Sequence, residues 1–253
     1  MSELPDDMIA HRDWLQSFMP VCDGGLIVDL GCGAGQDLFG LARKHPGVTA
    51  RFVGLDASQK SVADASARGD SEPRVSFAAH DLDQPLPFDG SSLDGVFTNN
   101  LLECLGDQAM FAREIGRVLR PGGTLVAAHW DCDSQVFDGR DKARTRRLVH
   151  AFADWQQPWM KHADGWMGRR LWGTFQSTGL FAGTVQARVL TNTIFAAPWY
   201  GHARAQDFRA LSKRALVSAG DVSGFLEEQA ALQANGRYFY AITGMAYVGT
   251  RIN

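Results

Sequence analysis

A glycine-rich segment that directly follows a short apolar strand is the feature that most constrains this sequence. Residues 28–35 read Val-Asp-Leu-Gly-Cys-Gly-Ala-Gly, and a second apolar strand, residues 52–56, ends in Asp56, 21 residues beyond Gly35. This order and spacing are typical of one βαβ unit that binds a nucleotide. Glycines let a ligand approach the backbone closely, and Asp56 can accept hydrogen bonds from a ribose diol. The segment therefore predicts a site for a nucleoside-containing cofactor.

The glycine spacing distinguishes between nucleoside cofactors. The glycines occur as Gly31-x-Gly33-x-Gly35, and Gln36 stands where a dinucleotide fingerprint has its last glycine. Asp29 would repel a pyrophosphate but attract an ammonium group, which favours S-adenosylmethionine. At this point the segment resembles the class I S-adenosylmethionine-dependent methyltransferases, in particular the small-molecule type that includes the ubiquinone and menaquinone methyltransferases. An ordinary glycine-rich turn without a ligand is the alternative interpretation.

Further motifs extend this resemblance over residues 26–131. Asp81 and Leu82 follow a third apolar strand, residues 92–97 resemble the family's approach to strand four, and Arg120-Pro121-Gly122-Gly123 resembles its entry into strand five. In the family an acid after strand three takes the adenine amino group, and Asp81 matches it. The resemblance thus implies a set of cofactor-binding residues: Asp29, Gly31, Cys32, Gly33, Gly35, Asp56, Ala57, Asp81, Leu82 and Asn99.

Strand and helix patterns alternate along the chain, which predicts a doubly wound, mostly parallel sheet. The predicted strands are residues 26–30, 52–56, 74–78, 93–98, 124–130, 185–194 and 238–250. The predicted helices are residues 6–19, 36–45, 59–68, 108–119 and 166–178. The expected fold class is α/β and Rossmann-like, with seven strands and a helical lid. By analogy with the family, the last strand is expected to be antiparallel.

Four segments are predicted along the chain. Residues 1–25 form a helical cover, and residues 26–131 form the cofactor-binding core. Residues 132–164 are expected to be a helical lid insertion. Residues 165–253 complete the sheet and carry a second helical insertion at about 203–235.

Composition bears on partners and on localisation. The formal net charge of −3 at pH 7 disfavours a nucleic-acid partner. Asn99 also lacks the Pro-Pro-aromatic continuation of enzymes that methylate nucleobase amines. No apolar stretch approaches about 18 residues, so no membrane span is expected, and residues 1–7 lack a secretory pattern, so a cytoplasmic location is expected. The cysteines show neither C-x-x-C nor zinc spacing, so reduced thiols and no metal site are expected.

Candidate catalytic residues lie at the predicted end of strand five. His129, Asp131 and Asp133 are positioned to act as a general base or to orient a substrate, if the nucleophile starts protonated. A packed histidine and ordinary loop carboxylates are the alternatives. The basic run over residues 142–147 predicts either a solvated helix face or attraction of an anionic small substrate. The tryptophans after residue 150 predict either core packing or a pocket for a planar ring or cation.

The function predicted from these residues is transfer of a methyl group from S-adenosylmethionine to a nitrogen or oxygen of a small-molecule acceptor, by in-line displacement. Substrate selection is expected between Cys132 and Tyr200. A carbon methyltransferase acting on a quinone or lipid-like acceptor is one alternative. A non-catalytic Rossmann-type ligand-binding module is another, although the intact acidic and glycine positions speak against it. The glycine spacing disfavours a nicotinamide dehydrogenase.

Overall fold

The computed structural model describes residues 5–69 and 72–253. The strands are β1 (Leu26–Leu30), β2 (Arg51–Asp56), β3 (Val75–Ala79), β4 (Leu93–Asn99), β5 (Leu119–Phe137), β6 (Phe181–Asn192) and β7 (Tyr240–Arg251). The helices are α1 (Asp6–Gln16), α2 (Gln36–Lys44), α3 (Gln59–Gly69), α4 (Gln108–Val118), α5 (Lys142–Ala153), α6 (Met167–Gln176), α7 (Tyr200–Lys213) and α8 (Ala219–Ala234), with a short 3₁₀ turn at Leu102–Cys104.

The strands form one seven-stranded sheet in the order β3-β2-β1-β4-β5-β7-β6. Strands β1 to β5 pair in parallel, and the last strand runs antiparallel between β5 and β6. The predicted fold class is therefore confirmed. In this register Asp29 of β1 lies opposite both Gly54 of β2 and Phe97 of β4, and Asp56 lies opposite Ala79 at the end of β3. The carboxyl ends of the central strands thus share one edge of the sheet, where open α/β sheets bind ligands.

The largest difference from the predicted elements is the length of β5. The strand was expected to end at residue 130, with a helical segment from residue 132, but it continues to Phe137. The extension is held by side chains: the Thr243 amide donates to Ser134 Oγ at 2.9 Å, and the Tyr240 hydroxyl donates to Gln135 Oε1 at 3.2 Å. These partners lie more than a hundred residues away in sequence, so the polar Asp-Cys-Asp-Ser stretch gave no local strand signal.

Smaller differences concern other element ends. Helix α1 ends at Gln16, three residues before its predicted end, and β6 begins at Phe181, four residues before its predicted start. Strand β5 also begins earlier than predicted, at Leu119, because the segment Arg120–Gly123 forms a bulge between the pairs Leu93–Leu119 and Gly95–Thr124. Helices α7 and α8 occupy the region of the second predicted insertion, with α7 beginning at Tyr200, three residues before the predicted start.

The chain divides into two compact units. The first, here called the glycine-turn unit, comprises residues 12–129, 170–186 and 245–253. Its core includes the fully buried side chains of Phe52, Phe97 and Val126. Its glycine turn, described below, follows β1. The fold of this unit is thus organised around the central parallel strands.

The second unit, here called the insertion unit, comprises residues 5–11, 130–169 and 187–244. Its core is rich in aromatic rings: the ring of Phe137 packs against those of Phe208, Phe225 and Tyr240 at centroid distances of 5.9, 5.1 and 4.6 Å. The extended end of β5 therefore supplies the centre of this core. Within the described part of the chain, no helix has both the length and the apolar character needed to cross a membrane.

Candidate functional site

The turn after β1 is built from glycines with positive φ. Gly31, Gly33 and Gly35 have φ values of 76°, 51° and 76°, in the left-handed region that favours glycine. The amides of Gly31 and Cys32 both donate to the Leu55 carbonyl, at 2.8 and 3.0 Å, which fixes the turn to β2. Gly35 is the N-cap of α2. The local sequence therefore exposes a run of backbone at the carboxyl edge of the sheet, as predicted from the spacing.

The three glycines differ in what surrounds them. A Cβ on Gly31 would lie 2.8 Å from Leu101 Cδ1, and a Cβ on Gly35 would lie 2.5 Å from Phe77 Cζ. A Cβ on Gly33 would meet no atom within 4 Å. Gly31 and Gly35 are thus required by protein packing, whereas Gly33 faces open space that a ligand can fill.

Asp56 is linked directly to the glycine turn. Its Oδ2 accepts a hydrogen bond from the Gly33 amide at 2.8 Å, and its Oδ1 accepts one from the Ser58 amide at 2.8 Å. An ionised carboxylate offers about four lone-pair sites, so each oxygen keeps capacity for a ligand hydroxyl. Ala57 follows in an exposed position. The geometry fits the predicted contact with a ribose diol.

A cluster of carboxylates lies beneath the turn. Asp29 is only 2% exposed, and Asp37, in the first turn of α2, is also buried. Asp37 accepts hydrogen bonds from Arg12 and, at 3.2 Å, from Gln16 Nε2. Burial, reinforced by the charge of Asp37, raises the pKa of Asp29 well above its usual range; Arg12 opposes this shift and Asp56 adds to it. A bound cation would relieve this electrostatic cost.

The sequence patterns do not identify Asp37 or the two side chains that donate to it, Arg12 and Gln16. Arg12 and Gln16 lie one helical turn apart on α1, so they share a face. Asp37 occupies the first turn of a helix, where a carboxylate is favoured by the helix dipole. The sequence contains these local signals, but it does not indicate that Arg12 and Gln16 on α1 contact Asp37 on α2.

The remaining predicted cofactor residues lie at the ends of β3 and β4. Asp81 is exposed and its Oδ1 accepts from the Asp83 amide at 3.1 Å, whereas Leu82 is buried. Asn99 ends β4, and its Oδ1 accepts from Asn100 Nδ2 at 3.1 Å. Asp81 keeps one carboxylate oxygen available to an exocyclic amine. Cys32 is buried, which raises the pKa of its thiol, and the charges of Asp29 and Asp56 add to that shift.

His129 is buried beside a carboxylate that sequence reasoning did not identify. His129 is 6% exposed and its Nε2 is hydrogen-bonded to Glu103 Oε2. Glu103 belongs to the 3₁₀ turn after β4 and is 8% exposed. Burial by itself raises the pKa of Glu103, but the charge and hydrogen bond of His129 outweigh it, so the pKa is lowered. The two residues form a dyad of imidazole and carboxylate just beyond the carboxyl end of β4, where Asn99 pairs with Ala128 in the middle of β5.

The other two catalytic candidates, Asp131 and Asp133, lie in the insertion unit. Asp131 is fully buried and accepts from Arg169 Nε at 2.5 Å and Nη2 at 2.6 Å. Asp133 Oδ2 accepts from Trp166 Nε1 at 2.9 Å. Both carboxylates thus take part in packing contacts of the insertion unit. Among the described residues, no group of three or more His, Cys, Asp or Glu side chains is arranged to hold a metal ion.

The tryptophans occupy different surroundings. Trp155 packs against the core of the insertion unit, Trp166 holds Asp133, and Trp159 is 61% exposed. Trp172 belongs to the glycine-turn unit, where its ring lies 6.2 Å from that of Tyr247. These four tryptophans therefore have different neighbours, each within its own unit.

The sequence around the glycine turn is similar to those of known methyltransferases. Residues 27–123 match the model of a methyltransferase domain. The chain is 35% identical to trans-aconitate 2-methyltransferase of Azoarcus over 46% of this chain and 43% of that protein. It is 36% identical to a probable S-adenosylmethionine-dependent methyltransferase of Mycolicibacterium smegmatis over 47% of this chain and 40% of that protein. The chain thus spans less than half the length of these two relatives.

The fold has a counterpart among solved structures. The YcgJ protein of Bacillus subtilis aligns with a TM-score of 0.62 over 97% of this chain and 99% of that one, at 16% identity. These findings show that residues 27–123 are similar to a methyltransferase domain, and they support S-adenosylmethionine as the cofactor. They leave the resemblance to the ubiquinone subtype as a prediction. The open space at Gly33 and the carboxylate cluster fit this cofactor.

Gly33 gives a direct test of the cofactor site. We expect Gly33→Ala to weaken binding of S-adenosylhomocysteine at least tenfold, about 1.4 kcal/mol, because the methyl group enters the space reserved for the ligand. Gly24→Ala is the matched control, since Gly24 also has a positive φ, 70°, and no atom within 4 Å of an added Cβ. Both variants should lose similar thermal stability. Equal affinity of the two variants in calorimetry would contradict the assignment.

We expect the Asp29 carboxylate to lower the stability of the ligand-free protein and to strengthen binding of S-adenosylhomocysteine. The pKa of Asp29 is higher in the folded protein than in the unfolded protein. The free energy of unfolding therefore falls as the pH rises from the unfolded pKa to the folded pKa, and the full loss is reached above the folded pKa. We therefore expect Asp29→Asn to raise the melting temperature of the ligand-free protein at neutral pH, but not below the unfolded pKa of about 3.9. The same variant should bind S-adenosylhomocysteine more weakly by about 1.5–3 kcal/mol. Asp13→Asn, a change at an exposed position on α1, is the control for net charge. If Asp29→Asn bound S-adenosylhomocysteine with wild-type affinity, Asp29 would not be a cofactor-binding residue.

Proposed function

We propose that this protein transfers a methyl group from S-adenosylmethionine to a nitrogen or oxygen of a small-molecule acceptor. The observation that carries the proposal is the pairing of open backbone at Gly33 with the buried carboxylate of Asp29, inside a segment that matches a methyltransferase domain. A buried carboxylate whose pKa is raised by burial is costly unless a cation binds beside it. S-adenosylmethionine carries an ammonium group and supplies an activated methyl group on its sulfonium.

Each cofactor contact follows from the chemistry of one residue. Asp29 would hold the ammonium group, and the backbone at Gly33 would form the floor beneath the amino-acid part. Asp56 would accept hydrogen bonds from the ribose diol with the lone pairs that Gly33 and Ser58 leave free. Asp81 would accept from the adenine amine, and Leu82 would supply an apolar surface.

His129 is the catalytic candidate that the contacts favour. Asp131 has both carboxylate oxygens bound by Arg169, so accepting a proton would break a bidentate ion pair. His129 Nε2 is hydrogen-bonded to Glu103 Oε2, and a carboxylate in this position orients an imidazole and stabilises its protonated form. We assign His129 as the base for a nucleophile that starts protonated, and Glu103 as its positioning residue.

The relatives point to acceptors with acidic oxygen atoms. Trans-aconitate, in the name of the Azoarcus relative, is a tricarboxylate, and methylation at one carboxylate would form an ester. Such an oxygen nucleophile needs no base at neutral pH, whereas a hydroxyl or ammonium acceptor does. Trans-aconitate is therefore the first acceptor to assay.

The function is tested in two steps on the full chain. Calorimetry should give a dissociation constant for S-adenosylhomocysteine and no binding of NAD. Transfer of a labelled methyl group to trans-aconitate and to a panel of small amines, phenols and quinones should then follow, with the product's methyl carbon identified by NMR. Failure of the folded protein to bind S-adenosylhomocysteine would overturn the proposal. A carbon-bound methyl group would favour the carbon methyltransferase alternative, and binding without turnover would favour a ligand-binding module.

Glu103 provides the test of the base. For an acceptor with a hydroxyl or ammonium group, we expect Glu103→Gln to lower kcat by about 10- to 100-fold. The acid limb of its kcat–pH profile should move to lower pH, because a neighbouring carboxylate favours the imidazolium. Glu227→Gln on an exposed face of α8 is the control. A uniformly lower rate with an unshifted profile would indicate a structural role only.

A further inference from the structure

The basic run of α5 separates into two groups in the structure. Arg144 Nη2 donates to Glu228 Oε2 at 2.6 Å, and Arg147 Nη2 donates to Asp221 Oδ1 at 2.9 Å, so α8 neutralises both. Lys142 and Arg146 belong to the other group. No carboxylate in residues 5–69 or 72–253 forms an ion pair with either of them.

These two cations share one helix face with His150. Residues four apart on a helix lie above one another, so Lys142, Arg146 and His150 form a stripe along α5. The rise of an α-helix, about 1.5 Å per residue, separates successive members by about 6 Å. The stripe therefore places the charges of Lys142 and Arg146 about one helical turn apart, with the imidazole of His150 one turn further along α5.

A groove of about 310 Å³ within the insertion unit lies along this stripe. Val136, Phe137 and Val149 give it an apolar lining, while Lys142 and Arg146 supply two cations and His150 an imidazole. The volume is at the lower end of the range for small-molecule sites. Its combination of apolar surface and positive charge matches an organic anion.

The other polar groups of the groove are already engaged. Gln135 donates to the Cys132 carbonyl at 3.0 Å and accepts from Tyr240, and Thr145 donates to the Asp141 carbonyl at 3.1 Å. Asp133, the one carboxylate among the described residues of its lining, accepts from Trp166 and lies 3.5 Å from His150 Nε2. Among the described residues of the lining, Lys142 and Arg146 are thus the charged side chains that remain available to bind a ligand.

We propose that this groove is a binding site for a small organic dianion. Arg146 would hold one carboxylate or phosphate group through its planar fork, and Lys142 would hold a second acidic group one helical turn away. The apolar chain between them would lie on Val136, Phe137 and Val149. The site is assigned from its own chemistry and does not depend on methyl transfer.

The test uses adipate, a dicarboxylate whose chain spans about one helical turn, without added cofactor and at constant ionic strength. NMR titration of the full chain should show saturable shifts of amides in β5 and α5. Arg146→Ala should raise the dissociation constant for adipate at least tenfold. Arg147→Ala, the neighbouring residue on the same helix, removes the same charge from outside the groove and should change it less than twofold.

A further variant and two further ligands test the charge of Arg146, the geometry of its guanidinium group and the apolar surface of the groove. Arg146→Lys keeps the charge but loses the fork, so it should bind more weakly than wild type and more tightly than Arg146→Ala. Hexanoate and inorganic phosphate should each bind at least fivefold more weakly than adipate. S-adenosylhomocysteine affinity should be unchanged in Arg146→Ala, which separates this site from the cofactor site. Absence of saturable binding, equal loss in the Arg146 and Arg147 variants, or phosphate binding as tight as adipate would overturn the proposal.

Discussion

Burial of the Asp29 carboxylate beneath the glycine turn is the constraint around which the cofactor edge is arranged. Asp37 and Asp56 add negative charge nearby, and Arg12 is the opposing cation among the groups that shift the pKa of Asp29. Arg12 itself is paired with Asp37. The ligand-free protein therefore carries an electrostatic cost at the point where the backbone lies open. Binding sites commonly give up stability in this way so that a ligand of opposite charge is preferred.

The central strands and the cofactor residues could be predicted because their signals are local. The turn glycines, the strand before them and Asp56 lie within about one βαβ unit, so spacing alone indicates their proximity. Glu103 could not be predicted, because its role depends on a contact with His129 across 26 residues. The extension of β5 likewise depends on Thr243 and Tyr240. Pattern analysis along one stretch of sequence cannot supply such partners.

The basic run on α5 is a second case in which contacts with distant residues could not be predicted from one stretch of sequence. In the sequence, Arg144, Arg146 and Arg147 are equivalent members of one charged stretch. In the structure, Glu228 and Asp221, 84 and 74 residues away, neutralise the first and the last. Only this selective pairing distinguishes Arg146 as a residue whose charge is available to a ligand. The structure thus divides the basic run between arginines that pair with α8 and the two cations of the proposed anion site.

Proton release on ligand binding tests the central claim most directly. Calorimetric titration with S-adenosylhomocysteine in two buffers of different ionisation enthalpy gives the number of protons exchanged at each pH. If the ligand's ammonium group binds beside Asp29, wild-type protein should release protons between the pKa that Asp29 has with ligand bound and the higher pKa that it has without ligand, because the bound cation lowers a pKa that burial has raised. Asp29→Asn should lack this release. Identical proton exchange in the two proteins, with both binding the ligand, would contradict the account.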